Sequence, residues 1–89
     1  MKTVYKYVLD ETEQKVKTFE GVRFLHVANQ HGDITVWAEV ETERPECMTV
    51  LYVVGTGEEV PDGATTYIGS ALMASGNFVF HIYQGDEVV

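Results

Sequence analysis

Apolar and polar residues alternate along most of this chain, and nowhere do apolar residues recur at 3.6-residue spacing over a sustained stretch, so strands are predicted throughout. Seven runs fit: residues 3–9, 14–19, 22–29, 34–41, 47–54, 65–74 and 77–83. The links 10–13, 20–21 and 30–33 are short and polar or glycine-bearing, which suits antiparallel hairpins. Pro45 breaks any ladder in the link 43–46, and Ser75-Gly76 marks a tight hairpin turn. Residues 10–17 hold helix-forming Glu, Gln and Lys, but so short a helix is marginal, and strand or loop is expected there. From Gln84 onward the chain reads as fraying. One β domain is therefore expected over residues 1–84, with a flexible tail at 85–89.

The faces of these strands bear on assembly. In the run from Ile34 to Val40, one side carries Ile34, Val36, Ala38 and Val40, and the other carries Trp37 beside Glu39 and Glu41. That strand has one wet side. The runs 48–54 and 77–83 are apolar on both sides, with Phe78, Phe80 and Ile82 opposing Val79, His81 and Tyr83 in the second. With no convincing helix to cover them, the fold class predicted is all-β, a small antiparallel barrel or sandwich of about seven strands that also self-associates.

Eighty-nine residues support one domain, since a chain this short buries only about 60–65% of its unfolded surface. No stretch has the length of a signal peptide's apolar segment or of the roughly twenty-residue membrane span. Cys47 is the only cysteine, which excludes an internal disulfide, a zinc-finger pattern and a CxxC redox motif and points to a reducing cytoplasm. The net charge of −8 argues against a nucleic-acid polymer as partner. Lys2, Lys6, Lys15, Lys17, Arg23 and Arg44 are all the cations, so an anionic ligand must use the first half of the chain or backbone N–H groups.

Gly55-Thr56-Gly57 follows a strand and resembles a glycine-rich phosphate cradle, in which clustered N–H groups hold anionic oxygens. It lacks the Lys-Ser/Thr of a P-loop and the third glycine of a dinucleotide fold. A wide connection needing positive φ is the competing reading, and Glu58-Glu59 would repel phosphate unless turned away. His26, His31 and His81 are too scattered for a metal site. His31 belongs to a turn, while His26 and His81 lie mid-strand among apolar residues as core histidines would; His81 is the better functional candidate. Ser70, Ser75 and Cys47 sit in no nucleophile elbow, and no carboxylate is embedded in apolar sequence, so no enzyme is expected. The many aromatics suit core and interface, and Lys6 and Tyr7, on opposite strand faces, could line one cleft at a subunit boundary.

Lys6-Tyr7, the Val36–Val40 strand, Gly55-Thr56-Gly57 with Val60-Pro61, Tyr67-Ile68-Gly69 and the run from Phe78 to Tyr83 resemble, in order and spacing, a large family of very small tailed-phage proteins. That family is similar to, or includes, the phage anti-CBASS sponges. The resemblance implies a homotetramer in the host cytoplasm that sequesters a cyclic dinucleotide alarm signal such as 3′3′-cGAMP without cleaving it, using no cofactor, metal or membrane. It implies stacking from Tyr7, Trp37 or Tyr67, charge from Lys6 or Arg23, donors from Thr56 and the backbone of Gly55 and Gly57, and a hydrogen bond from His81. Glu58-Glu59 stands where relatives can carry other residues. The competing class is a phage inhibitor or assembly factor that docks on a protein and takes no small ligand.

Overall fold

The computed structural model describes residues 1–88 and contains seven strands and no helix among them. They are β1 (Lys2–Leu9), β2 (Glu13–Phe19), β3 (Arg23–Gln30), β4 (Asp33–Glu41), β5 (Glu46–Gly55), β6 (Thr66–Met73) and β7 (Phe78–Val88). All pairing is antiparallel, in a three-stranded sheet of order β1-β4-β3 and a four-stranded sheet of order β2-β5-β7-β6. The two sheets form a sandwich and not a closed barrel. At one seam β3 approaches β6, where the Asn29 side chain donates to the Leu72 carbonyl at 3.1 Å, and at the other Tyr7 and Gln14 bridge β1 and β2.

The core is the layer between the sheets. Leu9, Val27 and Val36 from one sheet meet Val16, Leu51, Ala71 and Ile82 from the other, and Val36, Leu51 and Ile82 are 0% exposed. Period-2 alternation then sends the intervening residues outward. The wet side of β4 carries Trp37, Glu39 and Glu41 as its sequence indicates, while Val36, Ala38 and Val40 are buried. Thr18 and Thr49 share this interior and pair hydroxyl to hydroxyl at 2.6 Å, so neither is left unsatisfied, while Thr35, buried on the outer side of β4 between Val8 and Ala28, donates to the Asp33 carbonyl at 3.1 Å.

Only two links are hairpins. His31 and Gly32 form a two-residue turn between β3 and β4 with φ of 55° and 87°, the twist antiparallel strands favour. The β6–β7 turn falls at Ser75-Gly76 as expected, although Ala74 joins it in the left-handed region at φ 51°. The links at 10–13 and 20–21 are not hairpins. β1 and β2 belong to different sheets, as do β2 and β3, so both links turn corners of the sandwich. A polar tetrapeptide suits a corner as well as a hairpin, which is why composition does not separate them.

Two further expectations are corrected. The tail does not fray at 85: β7 runs to Val88, with Glu87 opposite Thr49 and Val88 opposite Met48 after a bulge in β7 that sets Gly85 and Asp86 against Val50; Val89 lies outside the described residues. The doubly apolar β5 is covered from within the chain. The β5–β6 connection folds over its outer side, so Val54 and Ala64 are buried, and a side chain at Gly63 would collide with the Tyr52 hydroxyl. Gly85 completes this packing, since a Cβ there would lie 2.8 Å from the Tyr52 ring and 2.9 Å from the Gly63 carbonyl. Gly85→Ala is expected to cost roughly 1–3 kcal/mol by overpacking, read as a lower urea midpoint. A shift within about 0.5 kcal/mol, the scatter of ordinary surface changes, would show that the strand end is not locked there.

Candidate functional site

The sequence-predicted residues divide between the two outer faces of the sandwich, which point away from each other because the inner faces pack together. Gly55, Thr56, Gly57, Tyr67 and His81 gather on the outer face of the four-stranded sheet. Lys6, Arg23 and Trp37 gather on that of the three-stranded sheet. Tyr7 joins neither, because it points inward, packs against the core and donates its hydroxyl to the Lys17 carbonyl at 2.8 Å. Burial is the main cause that pushes its phenol pKa up, with smaller contributions from Tyr5 and Cys47.

On the four-stranded sheet a continuous hydrogen-bonded chain crosses from β6 through β7 to the β5–β6 connection. The Tyr67 hydroxyl lies 2.6 Å from the Ser70 hydroxyl, Ser70 Oγ lies 2.8 Å from His81 Nδ1, and His81 Nε2 lies 2.9 Å from Thr56 Oγ1. Ser70 faces His81 because a hairpin centred on Ser75-Gly76 makes them register partners, five residues back and five forward. Tyr67 would point to the opposite face in a regular strand, three residues from Ser70. The bulge between Tyr67 and Gly69 inserts an extra residue and turns it onto the same face, edge-on to Tyr83 at 5.6 Å.

Two sets of bond directions fit these distances. If Thr56 gives its hydroxyl proton to the Val79 carbonyl at 3.3 Å, it accepts from His81 Nε2–H, Nδ1 accepts from Ser70, and Ser70 accepts from exposed Tyr67. If Thr56 instead donates to Nε2, the Nδ1–H donates to Ser70 and Ser70 donates to Tyr67. Beside the relay lies a shallow cleft of about 260 Å³ lined by Val54, Thr56, Glu58, Val60, His81 and Tyr83. Two neighbouring clefts that share Glu58 with it are larger, about 380 Å³ beside Tyr52 and Pro61 and about 390 Å³ beside Asn77 and Phe80, and fall at the low end of the roughly 300–1,000 Å³ of ordinary ligand pockets.

The glycine loop is not an open phosphate cradle. Gly55 N–H donates to the Glu58 carboxylate and Thr56 N–H to the Val79 carbonyl, while Glu58 N–H returns to the Gly55 carbonyl at 3.0 Å. Gly57, at φ 89°, serves the turn geometry. Glu58 thus occupies a donor that an anion would need.

The other face is a flat row of mixed chemistry. Lys6, Trp37 and His26 stand side by side across β1, β4 and β3, and Val4, Glu39 and Arg23 form the next row. His26 is exposed and lies 5.8 Å from the Trp37 ring, which corrects its reading as a core histidine. The bulge between Phe24 and His26 is the cause, since it keeps Phe24 in the core and turns His26 outward beside Arg23. Lys6 Nζ donates to Gln30 Oε1 at 3.0 Å, and neither Lys6 nor Arg23 has a carboxylate partner among the described residues.

A two-sheet β sandwich with an aromatic face of mixed charge on one side and a hydroxyl–imidazole relay on the other is the class of protein defined here. The chain belongs to the family described as Domain of unknown function (DUF7352), whose model matches residues 1–88. Neither a curated protein nor a solved structure matches it.

Ser70 and His26 are the site residues that sequence reasoning passed over. Ring nitrogen shifts in a ¹⁵N NMR spectrum separate the two directions: Nε2–H is expected where Thr56 donates to the Val79 carbonyl, and the Nδ1–H form runs every bond the other way. Ser70→Ala should cost about 1 kcal/mol by leaving partly buried Nδ1 and the Tyr67 hydroxyl without their partner.

Proposed function

We propose that this protein captures a small anionic ligand without transforming it and that, following the family resemblance, the ligand is a cyclic dinucleotide such as 3′3′-cGAMP. Its sequestration in the host cytoplasm would keep CBASS effectors inactive. The observation that carries the reading is the division of recognition groups between two faces of the sandwich, Trp37 with Lys6 and Arg23 on one and the hydroxyl–imidazole chain on the other. A second copy, in a homotetramer as the resemblance implies, completes the enclosure. Trp37 and Tyr67 supply stacking surfaces, Lys6 and Arg23 meet the phosphates, and Thr56 and His81 anchor the relay side. Because Gly55 and Thr56 use their N–H groups internally, phosphate recognition rests on the two cations and not on the loop backbone.

Binding without catalysis is favoured by what stands behind His81. In hydrolytic triads a carboxylate holds the imidazole and stabilises its charged form, whereas here the second ring nitrogen meets the Thr56 hydroxyl. The Ser70–His81 contact therefore reads as positioning. A protein-docking role is the second reading, favoured by exposed Val4, Val8 and Leu25 on the three-stranded sheet and by Leu72 and Phe78, each 60% exposed, on the other.

Calorimetric titration against a panel of cyclic dinucleotides tests the proposal, followed by heating and chromatography of the released ligand. Capture predicts stoichiometric binding and chemically intact ligand. Trp37→Ala is expected to weaken binding by about 1–3 kcal/mol, the value of one base stacked on an aromatic ring, and Lys6→Ala to weaken it in a salt-dependent way. Affinity unchanged in both variants would discredit the site, and altered ligand would make the protein an enzyme.

A further inference from the structure

We propose that the cleft between the β6–β7 hairpin and the Gly55-Thr56-Gly57 loop is a binding site for a guanidinium group. This goes beyond the capture reading and does not rest on it. Three observations carry it.

The first is an aromatic pair that the core leaves unused. Phe78 and Phe80 lie on the side of β7 that carries fully buried Ile82, where alternation would send them inward. Yet Phe80 is only half-buried and Phe78 is 60% exposed. Their rings are nearly parallel, with centroids 6.4 Å apart and planes 24° apart. Both line an open cleft of about 390 Å³.

The second is a carboxylate held in place beside them. Glu58 lines the same cleft, and one of its oxygens accepts from Gly55 N–H. Its side chain occupies the space that a Cβ at position 55 would need, with Cδ only 3.1 Å from that point, so the glycine is the seat of the carboxylate. The other oxygen has no hydrogen-bonded or ionic partner among the described residues.

The third is what this lining rejects. No Lys or Arg lines the cleft, so an anion would meet Glu58 with nothing to balance it. A neutral apolar ligand would strip water from the carboxylate without pairing it. A metal ion would need more ligands than Glu58 supplies, and no group of three His, Cys, Asp or Glu converges among the described residues. An organic cation satisfies both halves of the site, paired with the free oxygen and laid against the phenyl faces. Guanidinium suits it better than ammonium, being flat, more weakly hydrated and able to stack on a ring while its N–H groups reach Glu58 and the Asn77 amide oxygen.

The probes are ethylguanidinium, N-acetylarginine amide and its uncharged isostere N-acetylcitrulline amide, titrated into the full chain and followed by ring and amide NMR shifts. Both guanidinium probes are expected to give saturable shifts at Phe78, Phe80 and Gly55, and the citrulline probe to bind at least about tenfold more weakly. Glu58→Gln keeps an oxygen for Gly55 N–H and removes only the charge; it should weaken the arginine probe at least about tenfold, and Phe78→Leu should weaken it about threefold. Glu59→Gln removes the same charge beside a different cleft and should leave the affinity unchanged. Circular dichroism melts check the folding of each variant, and the arginine–citrulline comparison on the wild-type chain needs no variant at all. Tighter binding of the arginine probe than of ethylguanidinium assigns the site to an arginine side chain of a partner protein, and the reverse assigns it to a free guanidine. Equal binding of the arginine and citrulline probes overturns the inference. So does an equal loss in Glu58→Gln and Glu59→Gln, which would mark attraction by net charge alone. No probe carries a phosphate, so a chain that captures cyclic dinucleotides and ignores guanidinium refutes this site and leaves capture standing.

Discussion

Each sheet of this protein can dry only one of its sides, and the shared layer of Val36, Leu51, Ile82 and their neighbours decides which. A slip of one residue in any strand would exchange its inward and outward sets, so the core fixes the outer faces as firmly as it fixes itself. Trp37 stands in water because Val36 and Ala38 do not. His81 faces outward for the same reason, as the neighbour of fully buried Ile82.

The alternation has deliberate interruptions. Bulges in β3 and β6 each insert one residue, and both fall beside the candidate chemistry. One sets His26 in line with Lys6 and Trp37, and the other brings Tyr67 to Ser70. Bulges of this kind re-aim a side chain without disturbing the layer beneath, and here Phe24 and Ala71 keep their places against the core.

Much of the fold was legible in the sequence, because strands with one dry face announce themselves by alternation. Six of the runs match their strands to within one residue at each end, β7 continues five residues past its run, and the wet side of β4 was readable residue by residue. The partners of each strand were not. Residues 10–13 and 20–21 have hairpin composition but turn corners, and sheet membership depends on contacts distant in sequence. Site residues followed the same division. The Ser70–His81 pairing was within reach once Ser75-Gly76 was placed as a turn, whereas the bulges that move Tyr67 and His26 leave no compositional mark. Gly55-Thr56-Gly57 misled because glycine signals freedom of backbone, not vacancy of its donors, and Glu58 takes the one at Gly55.

The relay that ends at Tyr67 has one further property. Neutral imidazole holds a single hydrogen, so its two nitrogens cannot play the same part, and every hydroxyl in the row takes its direction from that one choice. With the hydrogen on Nε2 the phenol turns lone pairs to the outside and suits ammonium or guanidinium groups; with it on Nδ1 the phenol turns its own hydrogen outward and suits oxyanions, with no backbone atom having moved.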